Sequence, residues 1–406
     1  MKKKVLLAAP IQSLSGYGAR SRDLLTALLS NDSFDVYCTP IRWGNLNTIN
    51  FRDVPNGQEL FQAAKKPIPS SVDVYIQCTI AKEFGMLNDI EANLKIGITA
   101  GIETTEPPQD WIEGCNRMDV VLFSSECSRK AFVDYSKEVE SPDGTYTLKL
   151  KEDLVTDVLI EGLDVEWFDT VAPASEVDSL LEGIPDVSLL FVGAWLPGGL
   201  GFDRKNIATM IKAYIAASKD VDTPIGLVLK TAMSGDNEIS KAKIRESIRY
   251  IMESSGVSSN DVDIRVIHGS MTDREIVTLY SHTSIKAMVS LSHGEGWCRP
   301  LAEFGLTGKP IIAPSWGGQT EYLSENNCFM VDGNVMPVAR ESVNVHIING
   351  SSWWYPSEES AKSCIVQCAS SYDIGLTKAG RLREKLVANF KISDMANKLS
   401  TAILNN

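Results

Sequence analysis

The segment His293-Gly294-Glu295-Gly296-Trp297-Cys298-Arg299-Pro300-Leu301-Ala302-Glu303 carries the richest chemistry in the chain. Glycines let a backbone come close to a ligand. Pro300 suits the first turn of a helix, where its missing N–H costs nothing. A helix start presents unpaired N–H groups and a partial positive charge, which suit a phosphate. Leu301 and Ala302 are the residues whose N–H groups would lie there. Two carboxylates bracket this anion site, Glu295 before the helix and Glu303 inside it. Carboxylates repel phosphate but accept hydrogen bonds from sugar hydroxyls. A ligand with phosphates in the middle and hydroxylated rings on both sides matches that layout, and a nucleotide sugar is built so.

Other groups stand where strands end. Lys230 closes a buried apolar run, which would bring its ammonium out at a strand terminus. His268-Gly269-Ser270-Met271 follows another such run and could line a base pocket. Asp261-Val262-Asp263 has the D-x-D form of a metal motif but precedes a strand, away from the loops that bind ligands. Trp353-Trp354-Tyr355-Pro356 reads as aromatic packing rather than a membrane-dipping loop. Cys364 and Cys368, one helical turn apart, read as core thiols, and His282 and His346 carry no motif.

Short apolar runs alternate with amphipathic stretches over most of the chain. This is the signature of βαβ units and a mostly parallel sheet. Expected strands are 4–8, 36–38, 72–77, 95–99, 120–123 and 158–160, then 188–192, 225–230, 264–268, 287–290 and 310–313. Expected helices include 19–29, 128–135, 206–217, 239–254, 273–281, 301–307, 319–323 and one long terminal helix over about 379–404. Ser141-Pro142-Asp143-Gly144-Thr145 reads as a hairpin insertion. A polar, Pro-containing stretch over 169–185 is taken as a linker. The expected domains are 1–170 and 186–380, with 381–406 a helix that can cross back to the first. The fold class is α/β: two doubly wound, Rossmann-like parallel-sheet domains facing a cleft, with ligands at the carboxyl ends of the strands.

The 406 residues suffice for two cores. With 44% hydrophobic and 22% charged residues and a formal net charge of −13, the chain reads as globular and acidic. Such a surface disfavours nucleic-acid backbones and anionic membranes. Eight scattered cysteines, none in a CxxC pair, argue against a disulfide framework or zinc site and for reduced thiols in a cytoplasm. Lys2-Lys3-Lys4 followed by Val5–Ala9 mimics a signal peptide, but polar Gln12-Ser13 cut the apolar run too short. No apolar stretch approaches the roughly 18–20 residues of a membrane span.

Glu295 and Glu303 are separated by seven residues. This resembles the E-x7-E motif of retaining GT-B glycosyltransferases, especially glycosyltransferase family 4. Gly308-Lys309-Pro310-Ile311-Ile312-Ala313 and Gly317-Gly318-Gln319-Thr320-Glu321 are similar to the continuation of that motif. Glu161-Gly162-Leu163-Asp164-Val165-Glu166-Trp167-Phe168 resembles the family's N-G-x-D-x-x-x-F end of the first domain. Ser15-Gly16-Tyr17-Gly18 resembles its glycine-rich loop near the donor phosphates.

The resemblance implies a donor that is a nucleoside-diphosphate sugar, an N-terminal acceptor domain and a C-terminal donor domain. Glu303 would hold the ribose, Glu295 a hydroxyl of the donor sugar, and Gly16, Gly18 and Gly296 would let backbone approach the ligand. Lys205 stands where the family's diphosphate-clamping lysine is expected. The family's arginine after the first glycine is replaced by Ala194 and Trp195 after Gly193, so Arg204, Lys230 or Arg299 would compensate. The family's histidine after the strand 95–99 is absent, and Glu103 is the candidate to position donor or acceptor there. Front-face transfer, with the leaving phosphate taking the acceptor proton, needs no carboxylate base, no resident cofactor and no metal. Acceptor loops would be 41–50, 79–85 and 102–110, with Arg42, Trp43, Lys82 and Glu83. The acceptor can be a glycan, a lipid-linked saccharide, a small molecule or a nucleic-acid base. Two rivals are a silent sugar-nucleotide-binding or partner-binding module and a GT-B epimerase.

Overall fold

The computed structural model describes residues 2–44, 48–85, 90–142, 144–233 and 235–405. The chain divides into two compact units. The first comprises residues 1–164, 344–351 and 389–406, and the second residues 165–343 and 352–388.

The first unit contains β1 (Lys3–Ala9), α1 (Gly16–Leu29), β2 (Phe34–Pro40), α2 (Gly57–Lys65), β3 (Ser71–Cys78), β4 (Glu91–Thr99), α3 (Gln109–Cys115), β5 (Val120–Phe123), α4 (Glu126–Val133), β6 (Lys137–Ser141), β7 (Gly144–Leu148) and β8 (Val155–Val158). Its parallel sheet has the order β2-β1-β3-β4-β5-β8. Both faces are covered, and β1 shows why. Val5, Leu7 and Ala9 pack into one apolar cluster, and Leu6 and Ala8 into another on the opposite face. A strand buried on both sides must be apolar without alternation. The expected hairpin is present as the antiparallel pair β6–β7; Asp143 of the expected segment lies outside the described residues.

The second unit contains α5 (Val165–Thr170), α6 (Glu176–Leu180), β9 (Val187–Val192), α7 (Ile207–Ser218), β10 (Ile225–Thr231), α8 (Glu238–Ser254), β11 (Asp263–His268), α9 (Asp273–Ser281), β12 (Ile285–Val289), α10 (Arg299–Gly305), β13 (Ile311–Pro314), β14 (Phe329–Val331), β15 (Gly333–Pro337), β16 (Ser352–Pro356), α11 (Glu358–Ser370) and α12 (Tyr372–Asn389). Its parallel sheet runs β11-β10-β9-β12-β13-β14, the order of a dinucleotide-binding fold. Leu189, Phe191, Leu227, Leu229, Ala287 and Val289 from the sheet pack with Ile211, Tyr214, Ile244, Ile251 and Ile365 of α7, α8 and α11. The fold class is as expected and every expected strand overlaps an observed one, but β8 covers 155–158 rather than 158–160, and β14, β15 and β16 were not foreseen.

Three expectations change. The stretch 169–185 is packed structure rather than a free linker. It carries α6, Arg274 donates to Ala172 O and Pro173 O, and Arg265 donates to Leu180 O and Glu182 O. These bonds draw the segment into the second unit, which begins at Val165. The 319–323 helix is a short 3-10 turn over Gly318–Glu321. The long terminal helix is two helices, α12 and α13 (Ile392–Asn405). The break falls where Leu163 N donates to Phe390 O at 2.8 Å and Ile392 N donates to Leu163 O at 3.2 Å. Backbone groups spent on that seam cannot continue a helix. Gly162 is needed there, since a Cβ would come 2.7 Å from Ile392 Cα. After the break, Met395, Leu399 and Ile403 of α13 join the first unit's core.

Packing against the loop before α1 distinguishes the two glycines of the helix's first turn. Ser15 caps α1, its Oγ accepting from Gly18 N at 3.1 Å. A Cβ on Gly18 would lie 1.9 Å from Ser13 O, a backbone atom, whereas nothing lies within 4 Å of one on Gly16. Gly18→Ala is therefore expected to destabilise by ~3 kcal/mol, the upper range for forced overpacking. Gly16→Ala should leave stability unchanged or raise it by up to ~1 kcal/mol, since alanine is the better helix former. Urea unfolding of both variants checks this, and equal losses would contradict it.

Candidate functional site

All strands of the second sheet are parallel, but the succession β9, β10, β11 moves out to one edge and β12, β13, β14 to the other, so the order reverses between β9 and β12. Loops leaving neighbouring strands at such a switch point part to form a ligand crevice. The loop after β9 carries Arg204 and Lys205, and the loop after β12 carries Glu295. These residues, some 90 positions apart, meet. Lys205 Nζ is 2.5 Å from Glu295 Oε1, and Arg204 Nη1 is 3.1 Å from Oε2 and 2.8 Å from Gly294 O. Glu295 is 8% exposed, and the two cationic side chains 17% and 14%. Burial pushes the Glu295 carboxyl up, but Lys205 and then Arg204 outweigh it and bring its pKa down to about 2. The site is thus a buried anion holding two cations.

Asp203 shapes the cation-bearing turn, a role the sequence reading missed. It accepts from Lys205 N at 3.1 Å, while burial raises its carboxyl to about 6 against the pull of the Ile207, Lys205 and Asn206 amides. The signal was available, because an Asp bonding to the backbone two residues on is a turn former. Trp195, in the place of the family's arginine, is buried, and its N–H donates to Ala232 O. Of the three basic residues expected to compensate, Arg204 is the one that shares the Glu295 carboxylate with Lys205.

One turn into α10, Arg299 Nε is 2.6 Å from Glu303 Oε1, and Tyr280 donates to Oε2 at 3.4 Å. Gly296 is buried. The N–H groups of Leu301 and Ala302, expected at the diphosphate, both donate to Cys298 O, at 3.1 and 3.4 Å, as the first turn of α10 closes on its cap residue. Lys230 lies on β10, paired in register with Ile267 of β11, and burial lowers its pKa against the pull of Asp236 and Glu275. His268, next on β11, has Nε2 3.0 Å from Ser240 Oγ. Asp261 turns its carboxylate back onto Ser258 at 2.7 Å. Among the described residues no three His, Cys, Asp or Glu are grouped to hold a metal.

The remaining candidates belong to the first unit. Gly16 and Gly18 lie at the start of α1, and Glu103 on the half-buried loop after β4. Arg20, not foreseen, is fully buried. It donates to Ser124 Oγ, Thr99 O and Leu159 O and has Glu161 3.9 Å away, tying the ends of β4, β5 and β8. Trp43 packs on Tyr17, 4.6 Å between rings. Residues 45–47 of the expected acceptor loop 41–50 lie outside the described residues. His346, unassigned from sequence, contacts the Trp111 ring at 5.8 Å. Burial and then Lys82 hold its pKa down, against Glu103 and Asp110. His346 of the segment 344–351 thereby lies within electrostatic reach of Lys82 and Glu103, two of the candidate residues.

Two doubly wound units, the second with a paired carboxylate and cations at its switch point, have the fold of the GT-B glycosyltransferases. Solved structures bear this out. The chain is similar to Anabaena HepE in complex with UDP and glucose (14% identity, 100% of both chains, TM-score 0.63). It is similar to sucrose-phosphate synthase from Thermosynechococcus elongatus (14%, 99% of this chain and 98% of the other, 0.64). A glycosyltransferase from Rickettsia africae gives 15%, 100% and 99%, and 0.63. No protein-family model matches the sequence, and no curated protein matches it by sequence.

Proposed function

We propose that this chain is a retaining glycosyltransferase that moves a sugar from a nucleoside-diphosphate sugar to an acceptor held by loops of its first unit. The observation that carries the proposal is the Glu295 carboxylate with Lys205 and Arg204 at the switch point. An incoming diphosphate gives both cations a second anion, and Glu295 is left to accept from a donor-sugar hydroxyl. As the glycosidic bond breaks, charge builds on the departing diphosphate, and fixed cations in a water-poor place stabilise it. Glu303, oriented by Arg299, is the ribose ligand in this reading. Gly16 and Gly18 keep their proposed roles by resemblance, and Glu103 is proposed to position donor or acceptor where the chain departs from the family. Retention follows from the E-x7-E resemblance, as does a mechanism without metal or cofactor. Uridine is the first donor base to try, since HepE has been crystallised with UDP-glucose. Eight free cysteines, six of them buried, suit the reducing cytoplasm we propose.

A thermal-shift panel of nucleoside diphosphates and their sugar conjugates tests the proposal. One nucleotide should raise the melting temperature by mass action, and Glu303→Ala should abolish the rise. No rise with any nucleotide would remove the reading. Release of nucleoside diphosphate only in the presence of an acceptor distinguishes transfer from a silent binding module or an epimerase.

A further inference from the structure

His293 is one of four histidines in the chain and is 1% exposed, two residues before Glu295. Its ring lies between two carbonyl oxygens, Nδ1 2.7 Å from Trp354 O and Nε2 3.2 Å from Gly201 O. Trp353 stacks on it at 4.5 Å and 11°, and Tyr355 closes in at 4.7 Å. The main chain repeats the link: His293 N donates to Arg204 O at 2.8 Å, and Trp354 N donates to His293 O at 3.0 Å. One residue therefore touches the Glu295 loop, the loop of Arg204 and Lys205, and β16.

Carbonyl oxygens only accept. A neutral imidazole has one N–H and satisfies one of these two oxygens, while an imidazolium satisfies both. Burial pushes the ring's pKa below the ordinary histidine value, and the two carbonyls pull it partly back. In the neutral ring the shorter contact assigns the proton to Nδ1, facing Trp354. The Nε2 lone pair then opposes Gly201 O. The ionisable groups on the three packed segments are Asp203, Arg204 and Lys205, then Glu295, Cys298 and Arg299, then Tyr355, with burial pushing the Cys298 thiol up. Arg204 and Lys205 are paired with Glu295, and Arg299 with Glu303.

We infer that His293 is the proton-sensitive positioning residue of the donor site, fastening the Arg204–Lys205 loop to β16 when its ring is doubly protonated. The inference rests on the donor-site reading above. Coupling between two ligands is reciprocal: if the proton tightens donor binding, the donor raises the ring's pKa by the same factor. Affinity is then highest at acid pH, falls as pH rises through the ring's pKa, and is level above it.

The test follows the four histidine rings by NMR in 15N-histidine-labelled protein, titrated with pH, with and without the sugar nucleotide found by the panel. Both phosphates of that probe are diesters and do not titrate in this range. The expected result is an Nδ1–H neutral ring for His293 whose pKa rises on saturation, matching roughly fivefold tighter binding at pH 5.5 than at pH 8. His293→Gln should bind about fivefold more weakly at pH 5.5 and lose the part of the pH dependence that tracks the ring, leaving only what Asp203, raised to about 6, contributes. Should this variant not fold, the wild-type ring titration decides alone. A ring pKa unmoved by the donor overturns the inference and leaves the donor site standing. A wild-type chain that binds no sugar nucleotide overturns both.

Discussion

Replacing Glu295 with alanine is expected to cost about 3–5 kcal/mol of stability at neutral pH. The carboxylate is buried and holds Lys205 at 2.5 Å and Arg204 at 3.1 Å, both mostly buried themselves. Removing it takes from both cations the buried carboxylate they share. The pH dependence follows from the depressed pKa. The folded-state value is about 2 against an ordinary 4.5. The pair's contribution is therefore fully present above the ordinary value and is lost as pH falls toward 2. That shift corresponds to about 3 kcal/mol, in line with the estimate for breaking the pair. Urea unfolding at pH 7 and pH 3 should show wild type losing stability on acidification and Glu295→Ala losing less. A neutral-pH loss below about 1 kcal/mol would refute the buried-pair account. Glu295→Gln keeps the shape and removes the charge. It should retain nucleoside diphosphate binding, because the cations no longer have a competing anion, while transfer falls.

Lys205→Ala is expected to lower kcat by roughly 100- to 1000-fold, the range for losing one preorganised donor to a developing negative charge. Donor affinity should fall far less, because charge on the leaving diphosphate grows in the transition state rather than in the ground state. Arg204 remains in place, since it is also held by Gly294 O. Lys205→Arg should recover only part of the rate: a planar fork does not replace a compact ammonium packed against Glu295. Steady-state kinetics with the donor varied separate the two quantities. A loss confined to KM would mean that Lys205 binds donor and transition state alike, and the proposed role would fail.

The sequence by itself determined the alternation of strands and helices and the Glu295–Glu303 segment. Both are local. The unbroken apolar run Val5–Ala9 reports a strand buried on two faces, and a glycine-flanked carboxylate before a proline-started helix is visible within eleven residues. Tertiary structure decided which groups meet. Nothing in periodicity joins Lys205 to Glu295, because that contact depends on the order β11-β10-β9-β12, which brings two distant loops to one switch point. The two glycines in the first turn of α1 look alike in sequence, yet only Gly18 has Ser13 O against it. The apolar pattern ran on through Phe390 and suggested one helix, but Leu163 takes those backbone groups into a seam. Residues 344–351, read as part of the second domain, belong with the first unit, where they bring His346 against Trp111. Periodicity records how each element is buried; which partner buries it is a property of the packed chain.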